Sequence, residues 1–208
     1  MGDLEAARRY YTESLIVFRK IAFRRDEAIT LQYLGVLLRD SDPASAREYY
    51  NDSLDILNET DDWKNKIASL YGLGFVHLNL NELEAAERYF NDSLEYCKRG
   101  ADQRSEGVTL RGLGTLAEMQ GDRDRAETCY REALALAKKV SFVENIARLY
   151  ELLGALLLKY RGAAGKAEGC QMLAEAAATY KQMSRPEDAE RAAQEASRLG
   201  CGNGNVSS

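Results

Sequence analysis

Residues 72–94 read Gly72-Leu73-Gly74-Phe75-Val76-His77-Leu78-Asn79-Leu80-Asn81-Glu82-Leu83-Glu84-Ala85-Ala86-Glu87-Arg88-Tyr89-Phe90-Asn91-Asp92-Ser93-Leu94. The closing Phe90-Asn91-Asp92-Ser93-Leu94 nearly copies Tyr50-Asn51-Asp52-Ser53-Leu54, forty residues earlier (91 − 51 = 40). Looser copies stand at Tyr11-Thr12-Glu13-Ser14-Leu15 and Tyr130-Arg131-Glu132-Ala133-Leu134. The pair Leu73-Gly74 recurs as Leu34-Gly35, Leu113-Gly114 and Leu153-Gly154, with glycines 39, 40 and 40 apart (74 − 35, 114 − 74, 154 − 114). A fixed period of this length is the mark of a repeat array. Each repeat contacts its neighbours, so an array offers an extended surface rather than a pocket.

Within one period the pattern is that of two helices. Ala68, Leu70, Leu73, Gly74, His77, Leu78 and Leu80 form an apolar stripe of helical spacing, which predicts a first helix from about Trp63 to Leu80. Asn81 suits the left-handed residue that ends a helix. Leu83, Ala86, Phe90, Leu94 and Cys97 then follow at steps of 3, 4, 4 and 3, one face of a second helix, opposite a polar face of Glu84, Glu87, Arg88, Asn91 and Glu95. So short a turn makes the pair antiparallel. Gly74 in mid-helix costs about 1 kcal/mol against alanine, which predicts a close helix approach there. The small residue expected to face it is Ala86, with Ala126 facing Gly114 and Ala46, after Pro43, in the preceding unit.

Leu-Gly, an asparagine or glycine turn, and then alanine, an aromatic pair and [Ala/Ser]-Leu resembles the tetratricopeptide repeat, as at Leu113-Gly114, Gly121-Asp122, Ala126, Tyr130, Ala133 and Leu134. The period of about forty departs from the commoner 34-residue repeat. It is similar to the longer version seen in kinesin light chains, G-protein-signalling modulators and the sensor arrays of signalling ATPases. The expected fold is an all-α, right-handed superhelical solenoid of antiparallel helix pairs. Residues 1–199 are read as one array: a half-repeat at 2–24, repeats at 26–60, 64–99, 104–139 and 143–183, and a capping helix at 186–199. In the last repeat Gln171 stands where an aromatic is expected and Glu175 where leucine is expected. Residues 200–208, rich in glycine and serine, read as a disordered tail. The half-repeat start means either that the array begins there or that the chain is cut from something longer.

The chemistry expected is binding. A formal charge of −5 over 208 residues with no basic stripe speaks against nucleic acid. No apolar run approaches the roughly 20 residues that cross a bilayer, and the acidic start is unlike a secretion signal, so a cytoplasmic location is expected, with no membrane partner. Cys97, Cys129, Cys170 and Cys201 show no C-x-x-C spacing and suggest neither a zinc site nor a redox pair; Cys97 and Cys129 fall on apolar phases and read as core. Acceptor triplets at Asn51, Asn58, Asn91 and Asn205 match glycosylation sites in form, though two lie inside expected helices. His77 is the single histidine, on a buried phase, with no partners spaced for a metal. The Gly-Leu-Gly stretches lack a following Gly-Lys-Ser/Thr and are not phosphate loops. No nucleophile setting appears, so no enzyme and no cofactor are expected.

The resemblance implies that first helices line a concave groove. By that rule the groove takes Gln32, Val36 and Arg39 from the first repeat, Tyr71, Phe75 and Asn79 from the second, Arg111, Thr115 and Glu118 from the third, and Arg148 and Glu151 from the fourth. Tyr71 and Phe75, one turn apart, are either an anchor for a ligand or packing for the next repeat. The lysine–asparagine carboxylate clamp of chaperone-binding arrays is absent, since Gln32, Val36, Tyr71 and Phe75 hold those places. The asparagine before Leu-Gly is absent too, replaced by Tyr33, Gly72, Gly112 and Leu152. A non-catalytic scaffold for a protein or peptide follows; the alternative is the peptide-binding sensor of a larger signalling ATPase or transcription regulator. The faces of Leu4, Ala7, Tyr11 and Leu15 lack a covering first helix, which predicts self-association through residues 4–22 or a preceding segment that covers them.

Overall fold

The computed structural model describes residues 2–60 and 62–201. Ten helices run through them, with no strand among the described residues: α1 (Gly2–Lys20), α2 (Arg24–Leu38), α3 (Pro43–Thr60), α4 (Trp63–Asn79), α5 (Leu83–Arg99), α6 (Gln103–Gln120), α7 (Arg123–Lys139), α8 (Val143–Tyr160), α9 (Gly162–Gln182) and α10 (Pro186–Arg198). They fall into two compact units, residues 1–116 and 117–208, divided within α6.

The turns are written in short-range chemistry. After α4, Asn81 takes φ +59°, its N–H donates to the Leu78 carbonyl and the Glu82 N–H reaches back to His77. This is the Schellman end, in which a left-handed residue lets two orphan carbonyls of the last turn be satisfied. The same pair of bonds recurs around Ala22, Ala101, Gly121, Ser141, Ser184 and Gly200. Helix starts are capped by Asp42, Asp62, Asp102 and Asp122, each accepting from the N–H three residues on. At Asp42 the hydrogen bonds from Ser45 hold the carboxyl below its usual range.

In the first unit α2 lies against α3 and α4 against α5, both antiparallel. Leu15 of α1 joins Ala28, Leu31, Leu34, Ile56 and Leu57 in one core. Leu38, Ala46, Tyr50, Leu73 and Val76 form the next. The glycines do approach neighbouring helices closely, but what they face differs from the expectation. Ala86 is fully buried, yet a Cβ on Gly74 would lie 2.5 Å from the Phe90 ring. Phe90 meets a second glycine on the following helix, since a Cβ on Gly112 would lie 2.6 Å from the same ring. Tyr50 is held in the same way between Gly35 and Gly72, at 2.8 and 2.4 Å. Each ring is therefore a tenon between two mortises, one in its own repeat and one in the next. Burial of this kind pushes the Tyr50 phenol up to about 12.

The repeated serine has a similar use. Ser53 Oγ lies 3.0 Å from Ser69 Oγ, and Ser93 Oγ lies 3.0 Å from Thr109 Oγ1, both pairs buried and both between successive repeats. The acceptor triplets at Asn51, Asn58 and Asn91 all sit within α3 or α5, and their Ser53 and Ser93 are buried in these contacts. The triplet at Asn205 lies outside the described residues.

In the second unit α7, α8, α9 and α10 follow, with Ala147, Ala176, Tyr180, Ala189 and Ala192 forming a core of mostly small side chains. The departure of α9 from the repeat has a structural reason. It buries Gly165, Gly169, Leu173, Ala176 and Tyr180, leaving Gln171 and Glu175 exposed. A Cβ on Gly154 would stand 2.9 Å from the Gly169 carbonyl oxygen, so backbone meets backbone where the first unit inserts a ring. Of the inward set read for α10, Ala189 and Ala192 are buried, Ala196 and Leu199 half-buried, and Ala193 exposed.

Candidate functional site

The groove residues of the first unit gather around an aromatic pair. Tyr71 and Phe75 of α4 lie with ring centroids 4.9 Å apart, and both rings rest on Phe90 of α5, at 6.0 and 5.3 Å. Arg111 of α6 donates from Nη2 to Tyr71 Oη at 2.7 Å. On the other side the Arg39 guanidinium stands 5.2 Å above the Phe75 ring, a cation–π distance. Asn79 donates to the Arg39 carbonyl and to Asp40 Oδ1, at 2.9 and 3.2 Å, fixing the end of α2 against the end of α4. Val36 of α2 is 52% exposed, and Thr115, half-buried, donates to the Arg111 carbonyl. Both rings are half-buried, one side packed on Phe90 and the other accessible to solvent.

Gln32 does not join this face. It is 8% exposed, and its amide donates to the Asn65 carbonyl and to Ser69 Oγ, each at 2.9 Å. It is an internal tie between α2 and α4. In the second unit Glu151 is likewise 8% exposed. Its carboxylate accepts from Arg191 at 3.0 Å, Arg148 at 2.8 Å and Tyr180 Oη at 3.1 Å. Burial pushes this carboxyl up, but the bonds from Arg191 and Arg148 outweigh it and hold it below its ordinary value. Arg148 is engaged in that cluster, and Glu118 accepts from Tyr130 Oη at 2.7 Å.

Other expected roles change with the contacts. His77 is buried as read, but it has a carboxylate partner: Nδ1 lies 2.5 Å from Glu82 Oε2, and the ring stacks on Tyr89 at 5.0 Å. The left-handed turn at Asn81 brings Glu82 back to it. Among the described residues no group of three or more His, Cys, Asp or Glu is placed to hold a metal ion. Cys97 is buried and Cys129 half-buried, whereas Cys170 and Cys201 form a disulfide, with Cα atoms 5.6 Å apart. The sequence reading of no redox pair is corrected: 31 positions separate the two residues, and the fold brings them together. Gly200 and Cys201 are thereby placed, while residues 202–208 lie outside the described residues.

On α1, Leu15 is buried against α2, and Tyr11 stacks on Tyr33 at 5.1 Å. Of the face read as open, α2 and α3 thus cover Leu15 and α2 covers one side of Tyr11, while Ala7 is half-buried and Leu4 exposed. The exposed apolar residues of α1 include Leu4 at 64% and Tyr10 at 73%, with Ile16 and Val17. No helix among the described residues is long and apolar enough to cross a membrane.

A family model described as tetratricopeptide repeat matches residues 1–59 and 65–139, more than half of the chain. No curated protein sequence matches it. Among solved structures, BtubC (BKLC) from P. vanneervenii aligns over 95% of this chain and 91% of its own, at 16% identity and a TM-score of 0.68. A Rap protein complexed with Competence and Sporulation Factor aligns over 95% and 70%, at 12% identity and a TM-score of 0.71. A signal transduction ATPase with a tetratricopeptide repeat sensor, from Pyrococcus horikoshii, aligns over 85% of this chain at 16% identity and a TM-score of 0.67; the chain spans 27% of that protein. These likenesses show a shared all-α fold of stacked helix pairs, a helical solenoid. With the family model covering both halves of the glycine–ring pattern, the chain belongs to the tetratricopeptide repeat family.

Proposed function

We propose that this chain is a non-catalytic, cytoplasmic protein-interaction module, and that the face formed by Val36, Arg39, Tyr71, Phe75, Asn79, Arg111 and Thr115 takes a peptide or protein segment. The observation that carries this reading is the half-accessible Tyr71–Phe75 pair, backed by Phe90 and bordered by two guanidiniums. Aromatic and arginine side chains on a rigid backing are the residues that dominate binding at interfaces. Gln32 and Glu151 drop out of the face, because their polar atoms are already engaged inside the protein. The test is selection of a displayed 16-residue peptide library on the purified chain. Enriched peptides should lose at least tenfold in affinity on Tyr71→Ala and on Arg111→Gln. Enrichment that ignores both substitutions would refute this face.

A second reading is a sensor array within a larger signalling protein, favoured by the likeness to the sensor-bearing ATPase. An ATPase or DNA-binding domain encoded in frame with this array would favour it. Self-association through residues 4–22 belongs to the same proposal, motivated by the exposure of Leu4, Tyr10 and Ile16. Light scattering across concentration checks it. Tyr10→Glu and Ile16→Glu are the informative variants, since Leu15 lies in the core; a strictly monomeric protein would refute it.

A further inference from the structure

The disulfide between Cys170 and Cys201 joins the middle of α9 to the residue just beyond α10. Both partners are half-buried, within reach of a solvent thiol. The two remaining thiols are poor competitors. Burial pushes Cys97 up to about 11 and raises Cys129 as well, so neither readily supplies the thiolate that exchange requires.

α10 is fastened unequally along its length. Its first half buries Ala189 and Ala192 against Ala147, Ala176 and Tyr180. Arg185 and Arg191 in the same region pair with Glu144 and Glu151 of α8. Beyond Ala192 the contact thins. Ala193 and Ser197 are exposed, and Arg198 turns back to Glu195 of its own helix. A cleft of about 380 Å³ opens between this half and α9, bordered by Leu173, Ala174, Ala177, Ala193 and Ala196, with the disulfide at its edge. Methyl groups bury little apolar area, so packing alone holds this segment weakly.

We propose that the Cys170–Cys201 disulfide is a reversible redox latch on the second half of α10. Oxidised, it holds residues 193–201 over the Leu173–Ala177 face of α9; reduced, it lets that segment lift and bares the face. The reductant is a small thiol of the glutathione class. Its thiolate attacks one sulfur and expels the other cysteine as a thiolate; a second thiol then resolves the mixed disulfide. The net change delivers two electrons and two protons to the cysteines and leaves one external disulfide. In a reducing cytoplasm a bond of this kind is transient, the behaviour of a redox sensor.

Hydrogen exchange followed by mass spectrometry on the full chain tests the latch, comparing protein equilibrated in glutathione disulfide with protein in reduced glutathione. The amides of Leu199, Gly200 and Cys201, bonded to Glu195, Ser197 and Ala196 in the closed form, should exchange at least tenfold faster when reduced. α7 and α8 should be unchanged, and reoxidation should restore protection. The double variant Cys170→Ser, Cys201→Ser, checked for helicity by circular dichroism, should show the reduced profile in either buffer. Equal protection in both buffers overturns the latch. So does alkylation of Cys170 and Cys201 after oxidation, which would mean the bond does not form, or loss of protection throughout α8 and α9 on reduction, which would make it a structural staple.

Discussion

The central repeats of the first unit and the end of the second solve the same problem, joining one helix pair to the next, by different chemistry. In the first unit the joints are rings and hydroxyls: Tyr50 between Gly35 and Gly72, Phe90 between Gly74 and Gly112, Ser53 on Ser69 and Ser93 on Thr109. At the end of the second unit the buried ring, Tyr180, packs among Ala147, Ala176, Ala189 and Ala192 rather than between glycines. α8 and α9 approach through Gly154 and Gly169, and α10 is tied on by Arg191 to the buried Glu151 and by a disulfide. Apolar packing is indifferent to pH and reductant, whereas a buried carboxylate and a disulfide are not. The difference teaches that an array can keep one backbone pattern while its joints respond to different conditions.

The largest expected effect strikes the packing joint. Ala86→Asp places a carboxylate in a site with no solvent access and should destabilise the first unit by about 4 kcal/mol, read by urea unfolding. Ala126→Asp makes the same demand on the second unit, since Ala126 is equally buried. A loss below about 1 kcal/mol at either position would mean that the helix contact is looser than the geometry shows.

Next comes the ring itself. Gly72→Ala sets a methyl 2.4 Å from a Tyr50 ring already confined by Gly35. The overpacking, less the helix propensity gained, should cost about 2 kcal/mol. The double variant with Tyr50→Leu should lose less than the sum of the two single changes, because the clash is shared. Strict additivity would break the mortise reading.

The acid response sharpens the contrast. Glu151 is held below its ordinary value of 4.5 in the folded state, and Glu127, Asp188 and Glu195 in the same unit are lowered too. For a depressed carboxylate the stabilisation is complete above the unfolded value and is lost as pH falls through the folded one. Amide exchange should therefore show α8–α10 losing protection below about pH 4.5 before α3–α5 do. Glu151→Gln should weaken that response and cost about 1–2 kcal/mol at neutral pH, less than a fully buried pair because Arg191 is half exposed. Parallel loss in both units would erase the distinction.

The smallest expected effect is a gain. Ala101 sits at φ +52° in the turn before α6, where a Cβ is strained and glycine is not. Ala101→Gly should stabilise the first unit by about 0.5 kcal/mol, a rise of a degree or two in thermal midpoint.

The helices, their antiparallel pairing and the turn at Asn81 were legible because each follows from local rules: a period of 3.6 residues, a short connection, a residue tolerant of positive φ. The candidate face was half legible. The repeat phase put Tyr71 and Phe75 on a half-accessible side of α4, but Gln32 holds the same phase on α2 and is covered by α4 through Asn65 and Ser69. Glu151 read as a groove residue because its partner Arg191, which engages it inside the protein, lies forty residues away on a different helix. The partner of Gly74 was misread for a related reason. Spacing located the close approach near Ala86, while the side chain that fills it, Phe90, extends from the next turn.

By itself the sequence determined what repeats: the two-helix unit, the turn residues, and the glycine that marks each joint, since all of these depend on neighbours within a few residues. Only the tertiary structure decided what each joint is made of. It chose a ring between two glycines in one unit, and in the other a buried carboxylate with its arginines and a disulfide between Cys170 and Cys201. Apart from Arg148 on Glu151, such contacts join residues 15 to 40 positions apart, and at that distance identity is set by which side chains the folded helices bring face to face, a quantity no local spacing contains.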